Sequence, residues 1–155
     1  MQVSPAQVTL ADISLAQLKE QAAELFTQHF KELSIDGDRG LDIAWPVFEV
    51  MAKMGQLHAV GAFIGDALVG YTVSILCPRH LHYDYAYVQN DVLFVAKEHR
   101  DGSVGGRLMA AVRSWGREHG AVEVMWHAKD DTELHRKLDK NGRFRLRDHI
   151  YSESI

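Results

Sequence analysis

The sequence predicts an α/β (α+β) fold with the element order β-α-α-β-β-β-α-β-α-β-β. Three observations carry it. Two segments of helical period lie in the first third of the chain, and β-branched runs joined at Gly65-Asp66 occupy the middle. A passage of strand, glycine-rich turn and helix then runs from Val92 to Val112. No linker, repeat or low-complexity tract interrupts the 155 residues, so residues 1–155 are expected to form one domain.

Gln7 to Leu10 is a short strand. Ser14 and Gln17 make a capping box, and Leu15, Leu18, Ala22, Leu25, Phe26 and Phe30 follow at helical spacing to about Leu33. The turn-rich stretch Ile35 to Gly40 separates this helix from a second one. The second starts near Pro46, a residue tolerated in a first turn, carries Val47, Phe48, Val50, Met51 and Met54, and stops at Gly55. Leu57–Ile64 and Ala67–Leu76 read as an antiparallel hairpin. Cys77 to His82 is loop, because Pro78 cannot donate to a ladder. Tyr85–Val95 is the next strand. The helix after the glycines puts Val104, Leu108, Val112 and Trp115 on one face and ends at His119-Gly120. Ala121–His127 is β-rich. Asp130 with Glu133 caps a last helix, Asn141-Gly142 gives it an αL stop, and Phe144–Leu146 with His149–Ser152 form a final strand pair.

Composition sets bounds on function. A hydrophobic share of 46% and a charged share of 25% are ordinary for a globular domain. The net charge of −4 gives no electrostatic reason to expect nucleic acid or an anionic membrane as partner. Cys77 is the single cysteine, so no internal disulfide forms and a reducing compartment suits the chain. Met1 to Pro5 has no basic or apolar leader character, and no stretch approaches the ~20 apolar residues of a membrane span; a cytoplasmic location is expected.

Residues 92–107 carry most of the chemistry: Val-Leu-Phe-Val-Ala-Lys-Glu-His-Arg-Asp-Gly-Ser-Val-Gly-Gly-Arg. A helix entered through glycines offers unpaired N–H groups and the positive end of its dipole to an anion. A Walker loop is excluded, since Gly105-Gly106-Arg107 stands where Gly-Lys-Ser/Thr is required. The spacing of Gly102, Gly105 and Gly106 is not that of a Rossmann turn either. The segment resembles the acyl-CoA-binding turn of the GCN5-related N-acetyltransferases, which reads Gln/Arg-x-x-Gly-x-Gly/Ala after a strand ending in an apolar-x-Val pattern. Arg100 to Gly105 fits except that Ser103 replaces the first family glycine, and Leu93-Phe94-Val95 lies at the expected distance upstream. The element order around it matches over nearly the whole chain.

The resemblance implies a mixed, mostly antiparallel central sheet flanked by helices, in which Tyr85–Val95 and Ala121–His127 splay apart. It implies acetyl-CoA as acyl donor and an amine as acceptor, the products being CoA and an amide. A splayed strand leaves main-chain groups unpaired. Those of Leu93, Phe94 and Val95 are assigned to the pantetheine arm, whose two amides mimic a strand. The N–H groups of Asp101, Gly102, Ser103, Val104, Gly105 and Gly106 are assigned to the pyrophosphate, with Arg100 or Arg107 adding charge. The basic residues Arg136, Lys137, Arg143, Arg145 and Arg147 either reach the 3′-phosphate or form a solvated face. A homodimer paired through sheet edges is consistent with the family and is not decided by these residues.

Attack of an amine on a thioester requires loss of a proton from an ammonium of pKa about 10.4. A main-chain N–H near Phe94 is placed to hold the developing oxyanion. The tyrosine acid of many relatives, counted back from Gly142, falls on Leu138, which cannot donate. Asp91, on the strand feeding the thioester and on the face of Val95 in a regular strand, is the candidate base; the competing role is an aspartate at a bulge. Gln89 on the same face, with His82 and Tyr85, is assigned to acceptor binding, and Tyr87 approaches the same region. His127 is either a pocket base or a strand-end surface residue. Asp36, Asp38 and Arg39 border the acceptor site in the family. No metal is assigned: Cys77, His80 and His82 lack a fourth ligand at diagnostic spacing, though a small metal-dependent protein built on that loop is a competing hypothesis. A non-catalytic acyl-CoA sensor on the same fold is the other competitor, motivated by Leu138 and Ser103.

Overall fold

The computed structural model describes residues 7–33, 40–100 and 102–155. Five strands lie side by side in chain order: β1 (Val8–Asp12), β2 (Leu57–Ile64), β3 (Ala67–Cys77), β4 (Ala86–Val95) and β5 (Ala121–Trp126). The first three pairings are antiparallel, as short turns dictate. Gly65, at φ +58°, closes the β2–β3 turn with a backbone geometry that other residues adopt at a cost. β4 and β5 are parallel, because helix α4 (Val104–Glu118) crosses between them. The mixed sheet flanked by helices is the expected fold class. Among the described residues no helix is long and apolar enough to cross a membrane.

Each sheet face has its own core. On one face α1 (Leu15–Gln21) and α2 (Ala23–Leu33) bury Leu18, Ala22 and Leu25 against Ala59, Tyr71, Val73 and Phe94. Helix α3 (Trp45–Lys53) adds Phe48 there and leaves Val47, Val50 and Met54 exposed. On the other face α4 buries Val104 and Leu108 against Val60, Ala62, Val69 and Val95. The strand residues alternate between the two cores, which is the period-2 rule at work.

Three local expectations are corrected. The first helix is two helices bent at Ala22; the bond from Ala22 N to Leu18 O (2.9 Å) and that from Phe26 N to Ala22 O (2.8 Å) survive the bend. The bend lets Leu18, Ala22 and Leu25 all reach the core. Helix α5 (Glu133–Lys140) is capped by Thr132, which accepts from His135 N, and it ends at an extended Asn141 with no left-handed residue. The final strand pair does not form: Phe144–Leu146 and His149–Ser152 contain no strand. Arg143, Arg145 and Arg147 leave Phe144 and Leu146 as the only apolar residues of that run, too few to anchor a ladder. Leu146, Ile150 and Tyr151 stand exposed, and Arg147 fastens the segment to Glu123 of β5 at 2.9 Å.

One irregularity positions everything that follows. Along β4, Val92 pairs with Val73 but Asn90 pairs with Ser74, so Asp91 is an extra residue with no partner on β3. Asn90, fully buried, plugs the bulge. Its Nδ2 lies 3.2 Å from Val92 O, 3.3 Å from Val73 O, 2.9 Å from Thr72 Oγ1 and 3.1 Å from Ser74 Oγ, and Thr72 Oγ1 donates to Val92 O at 2.8 Å. Thr72, Ser74 and Asn90 are the buried polar residues of the sheet, and they converge on this spot. Replacing Asn90 by Leu, similar in size but without a donor, is expected to destabilise the fold by about 1–3 kcal/mol, read as a lowered midpoint in urea unfolding.

Candidate functional site

The site lies where β4 and β5 part. Their pairing runs from Ala86↔Ala121 to Asn90↔Trp126 and stops there, so Val92 to Val95 have a neighbour on the β3 side only and Asp91 has none on either. Beyond the strand, Ala96 N donates to Val69 O at 2.8 Å. Counting back along an antiparallel ladder, Phe94 directs its main chain to Tyr71 of β3, while Leu93 and Val95 turn theirs into the gap. Of the three residues expected to hold the donor's arm, Leu93 and Val95 thus border the opening with their main chains. Phe94 contributes a buried ring on the α2 side.

At the end of the gap the chain enters α4 through its glycines. Ser103 occupies the cap position without a side-chain hydrogen bond, and no acidic residue stands in the first turn. Arg107 N already bonds to Ser103 O (2.8 Å), so the helix leaves the N–H groups of Val104, Gly105 and Gly106 facing outward with the positive dipole end. A Cβ at Gly102, Gly105 or Gly106 would meet nothing within 4 Å, and none of the three has positive φ. By contrast Gly61, Gly70 and Gly116 are each hemmed in by neighbours at 3.0 Å or less. A glycine in a helix costs about 1 kcal/mol relative to alanine. Gly105 and Gly106 have no internal reason for that cost, whereas a ligand approaching the backbone supplies one. Asp101 lies outside the described residues, as do Asp36, Asp38 and Arg39.

Neither arginine expected at the anion is free. Arg107 donates to Val8 O of β1 at 2.8 Å. Arg100 donates through Nε to Val95 O (2.7 Å), grips both oxygens of Glu32 (3.0 and 2.8 Å), approaches Glu133 of α5 (3.6 Å) and lies over the Phe94 ring. It is a strut between α2, β4 and α5 on the face opposite α4. Its guanidinium is held here by two carboxylates, which outcompete open solvent for it.

The bulge also changes which face Asp91 occupies. In a regular strand Asp91 shares the face of Val95; with the extra residue it joins Val92 and Phe94 on the α1–α3 face, while Leu93 and Val95 go under α4. Burial of its flanks raises the Asp91 pKa, and nearby His127 opposes the shift. Beside it, sequence reasoning missed a pair of a buried tyrosine and a half-buried histidine. Tyr71 and His29 share a hydrogen bond of 3.0 Å (Oη to Nδ1), and the imidazole stacks on Phe94 at 4.7 Å and 20°. Burial, aided by the Asp91 charge, raises the Tyr71 pKa. Burial pushes His29 down to about 4, with Glu32 opposing and Arg100 assisting. The available signal was a histidine on the apolar face of a helix and a tyrosine between Val69 and Val73, each of which needs a polar partner once buried.

Gln89 pairs with Met125 one step before the vertex, on the face of Asp91. His82 and Tyr85 lie elsewhere. Both precede Ala86, at the closed end of the β4–β5 pairing; six strand residues place Tyr85 roughly 20 Å from Asp91. There Tyr85 Oη donates to Glu123 (3.1 Å), and the His80 ring sits 4.9 to 5.6 Å from Tyr83, Tyr85 and Tyr87. Among the described residues no three His, Cys, Asp or Glu side chains group closely enough to hold a metal ion. A concavity of about 410 Å³ lined by Asp12, Leu15, Lys53, Leu57 and His58 lies beside β2, away from the vertex. Leu138 is half-buried on α5.

Residues 18–139 match the model of the acetyltransferase (GNAT) family. No curated protein sequence matches the chain. Among solved structures, an aminoglycoside acetyltransferase from an uncultured soil metagenomic sample, in complex with sisomicin, is similar in fold. It has a TM-score of 0.72 and 14% identity, with 96% of each chain covered. AAC(6′)-Iy in complex with the bisubstrate analogue CoA-S-monomethyl-acetylneamine gives 0.71 and 17%, covering 96% of this chain and 99% of that one. A ribosomal-protein-alanine N-acetyltransferase from Brucella melitensis biovar Abortus 2308 gives 0.68 and 19%, covering 96% and 98%.

His29 ties the site to acid stability. Its folded pKa lies below the unfolded value of 6.5, so the contribution is fully present above pH 6.5 and is lost as pH falls toward 4. Urea unfolding at pH 7 and pH 4.5 is expected to show wild type losing on the order of 2–3 kcal/mol more than His29→Phe between the two conditions. Equal losses in the two proteins would remove His29 as the cause.

Proposed function

The chain belongs to the GNAT acetyltransferase family, and on that premise we propose that it moves an acetyl group from acetyl-CoA to a primary amine of a small molecule or peptide. The observation that carries this reading is the one-sided edge of β4 running into a helix opened by unhindered glycines. Pantetheine amides find partners at Leu93 and Val95, and the pyrophosphate finds the N–H groups of Val104, Gly105 and Gly106. A solved relative of this fold binds a CoA bisubstrate analogue, which supports the same donor here. The lack of a membrane-spanning helix among the described residues and the single cysteine fit action in the cytoplasm.

Binding supplies most of the rate by holding amine and thioester together. The Leu93 N–H, directed into the gap, is suited to the developing oxyanion. Asp91 serves as base, directly or through a water; the bulge carries its carboxyl to the face away from α4, where an amine has room, and its raised pKa suits proton acceptance. The Asp91 carboxyl at the vertex favours a cationic acceptor. Leu138 supports a second reading, a non-catalytic acyl-CoA sensor. Thiol release over a panel of amines separates the two, since the sensor binds acetyl-CoA and releases none.

Two variants test the assignment. Gly105→Val has space for its side chain in the free protein, so the fold should stand while acetyl-CoA affinity measured by calorimetry falls at least tenfold; parental affinity would displace the donor from this turn. Asp91→Asn is expected to lower turnover roughly 100- to 10,000-fold with little change in acetyl-CoA affinity. An unchanged rate from pH 6 to 9 would pass base duty to another group.

A further inference from the structure

We propose that His127 is the general acid that protonates the departing thiolate, working as a dyad with Asp91 across the strand vertex; the inference rests on the acetyl-transfer reading above. Three observations place it there. The β4–β5 ladder ends at Asn90↔Trp126, so Asp91 and His127 are the first residues past the last pair, one on each strand. In a parallel pair, neighbours point to the same face. Val88, against Gly116 of α4, pairs with Val124, and Asn90 pairs with Trp126, so those four lie on the α4 side. Alternation then sends His127 to the opposite face with Met125 and Gln89, and the bulge delivers Asp91 to that face too. In keeping with this placement, His127 opposes the rise that burial gives the Asp91 pKa.

Elimination points the same way. Leu138 has no proton to give. Tyr71 is buried with its hydroxyl engaged by His29, and His29 is itself packed on Phe94. His80, His82 and Tyr85 belong to the closed end of the pairing. His127 is exposed, as is Asp91, and both are open to a reactant at the vertex.

The proton account balances. The ammonium of the acceptor gives one proton to solvent on binding. As the C–N bond forms, Asp91 takes the second proton from nitrogen; as the C–S bond breaks, the His127 imidazolium gives its proton to sulfur. The Asp91 carboxylic acid then passes its proton to the neutral imidazole, and both groups are reset. The net products are the amide, CoA thiol and one proton.

The test uses the full chain, acetyl-CoA and the best amine of a panel, with thiol release read from pH 5.5 to 9.5. The titratable and charged groups on that face are Tyr71 on β3, His29 and Glu32 on α2, Glu133 on α5 and Arg100, with Tyr71 buried and His29 half-buried. His127→Gln is expected to lower kcat roughly 100-fold, to leave the acetyl-CoA Kd within twofold, and to abolish the fall of kcat on the basic side. In His127→Ala, added imidazole should restore a measurable part of the rate. A wild-type basic limb in His127→Gln, or a rate loss that imidazole does not relieve and that follows a loss of Tm, overturns the acid role while leaving acetyl transfer intact. If the wild type binds acetyl-CoA and releases no thiol with any amine, the acetyl-transfer reading falls and the acid role falls with it.

Discussion

The chain's chemistry depends on one inserted residue in β4 and on the buried amide that makes the insertion tolerable. A bulge deprives main-chain carbonyls of their ladder partners, and a carbonyl left unsatisfied in a core costs about 1–3 kcal/mol. Asn90 answers with a side-chain amide aimed at Val73 O and Val92 O, reinforced by the Thr72 hydroxyl. The same insertion does three geometric jobs. It ends the pairing with β5, it moves Asp91 to the face of α1–α3, and it leaves Leu93 and Val95 with main-chain groups in the opening. Among the described residues Asn90 Oδ1 has no hydrogen-bond partner. Local disorder of hydrogen bonding near a reactive opening is where such a cost is commonly retained.

Around that opening, charge is distributed by face. The α4 side presents helix N–H groups and glycines, with its one nearby arginine, Arg107, bound to β1. The other side gathers Asp91, Glu32, Glu133, Arg100 and His127, of which the arginine is already neutralised by carboxylates. An anionic ligand therefore meets dipoles rather than side-chain cations, and a cationic one meets carboxylates. The distinction matters because backbone dipoles are fixed in direction and lose little order on binding, whereas long side chains lose rotamer freedom.

Legibility in the sequence followed the range of the forces involved. The hairpin at Gly65-Asp66, the capping box at Ser14 and the strand–glycine–helix passage were readable because each is set by residues within a few positions of one another. The tail defeated the same reasoning. Arg143 to Arg147 alternates like a strand, but a strand needs a neighbour, and β5 takes none from it. The bulge defeated it differently: one residue shifts the face of everything before it, so Asp91 does not share the face of Val95 as a regular strand implies. The position of His82 and Tyr85 was not legible because a loop's distance from an opening depends on which end of the strand pair stays closed. His29 and Tyr71 stand 42 positions apart, and their meeting is a tertiary fact that no local pattern encodes.

The two cores that share β4 have a consequence for how this protein can change over time. Val92 and Phe94 belong to one, and Leu93 and Val95 to the other, so the strand is a wall with separately furnished sides. Substitutions in α1, α2 or α3 reach the donor side only through the strand backbone, which the ladder with β3 holds in place. Variation can then accumulate on the side that meets one reactant while the side that meets the other is inherited intact. A chain built this way can be redecorated in one half of the room while the other half keeps its furniture.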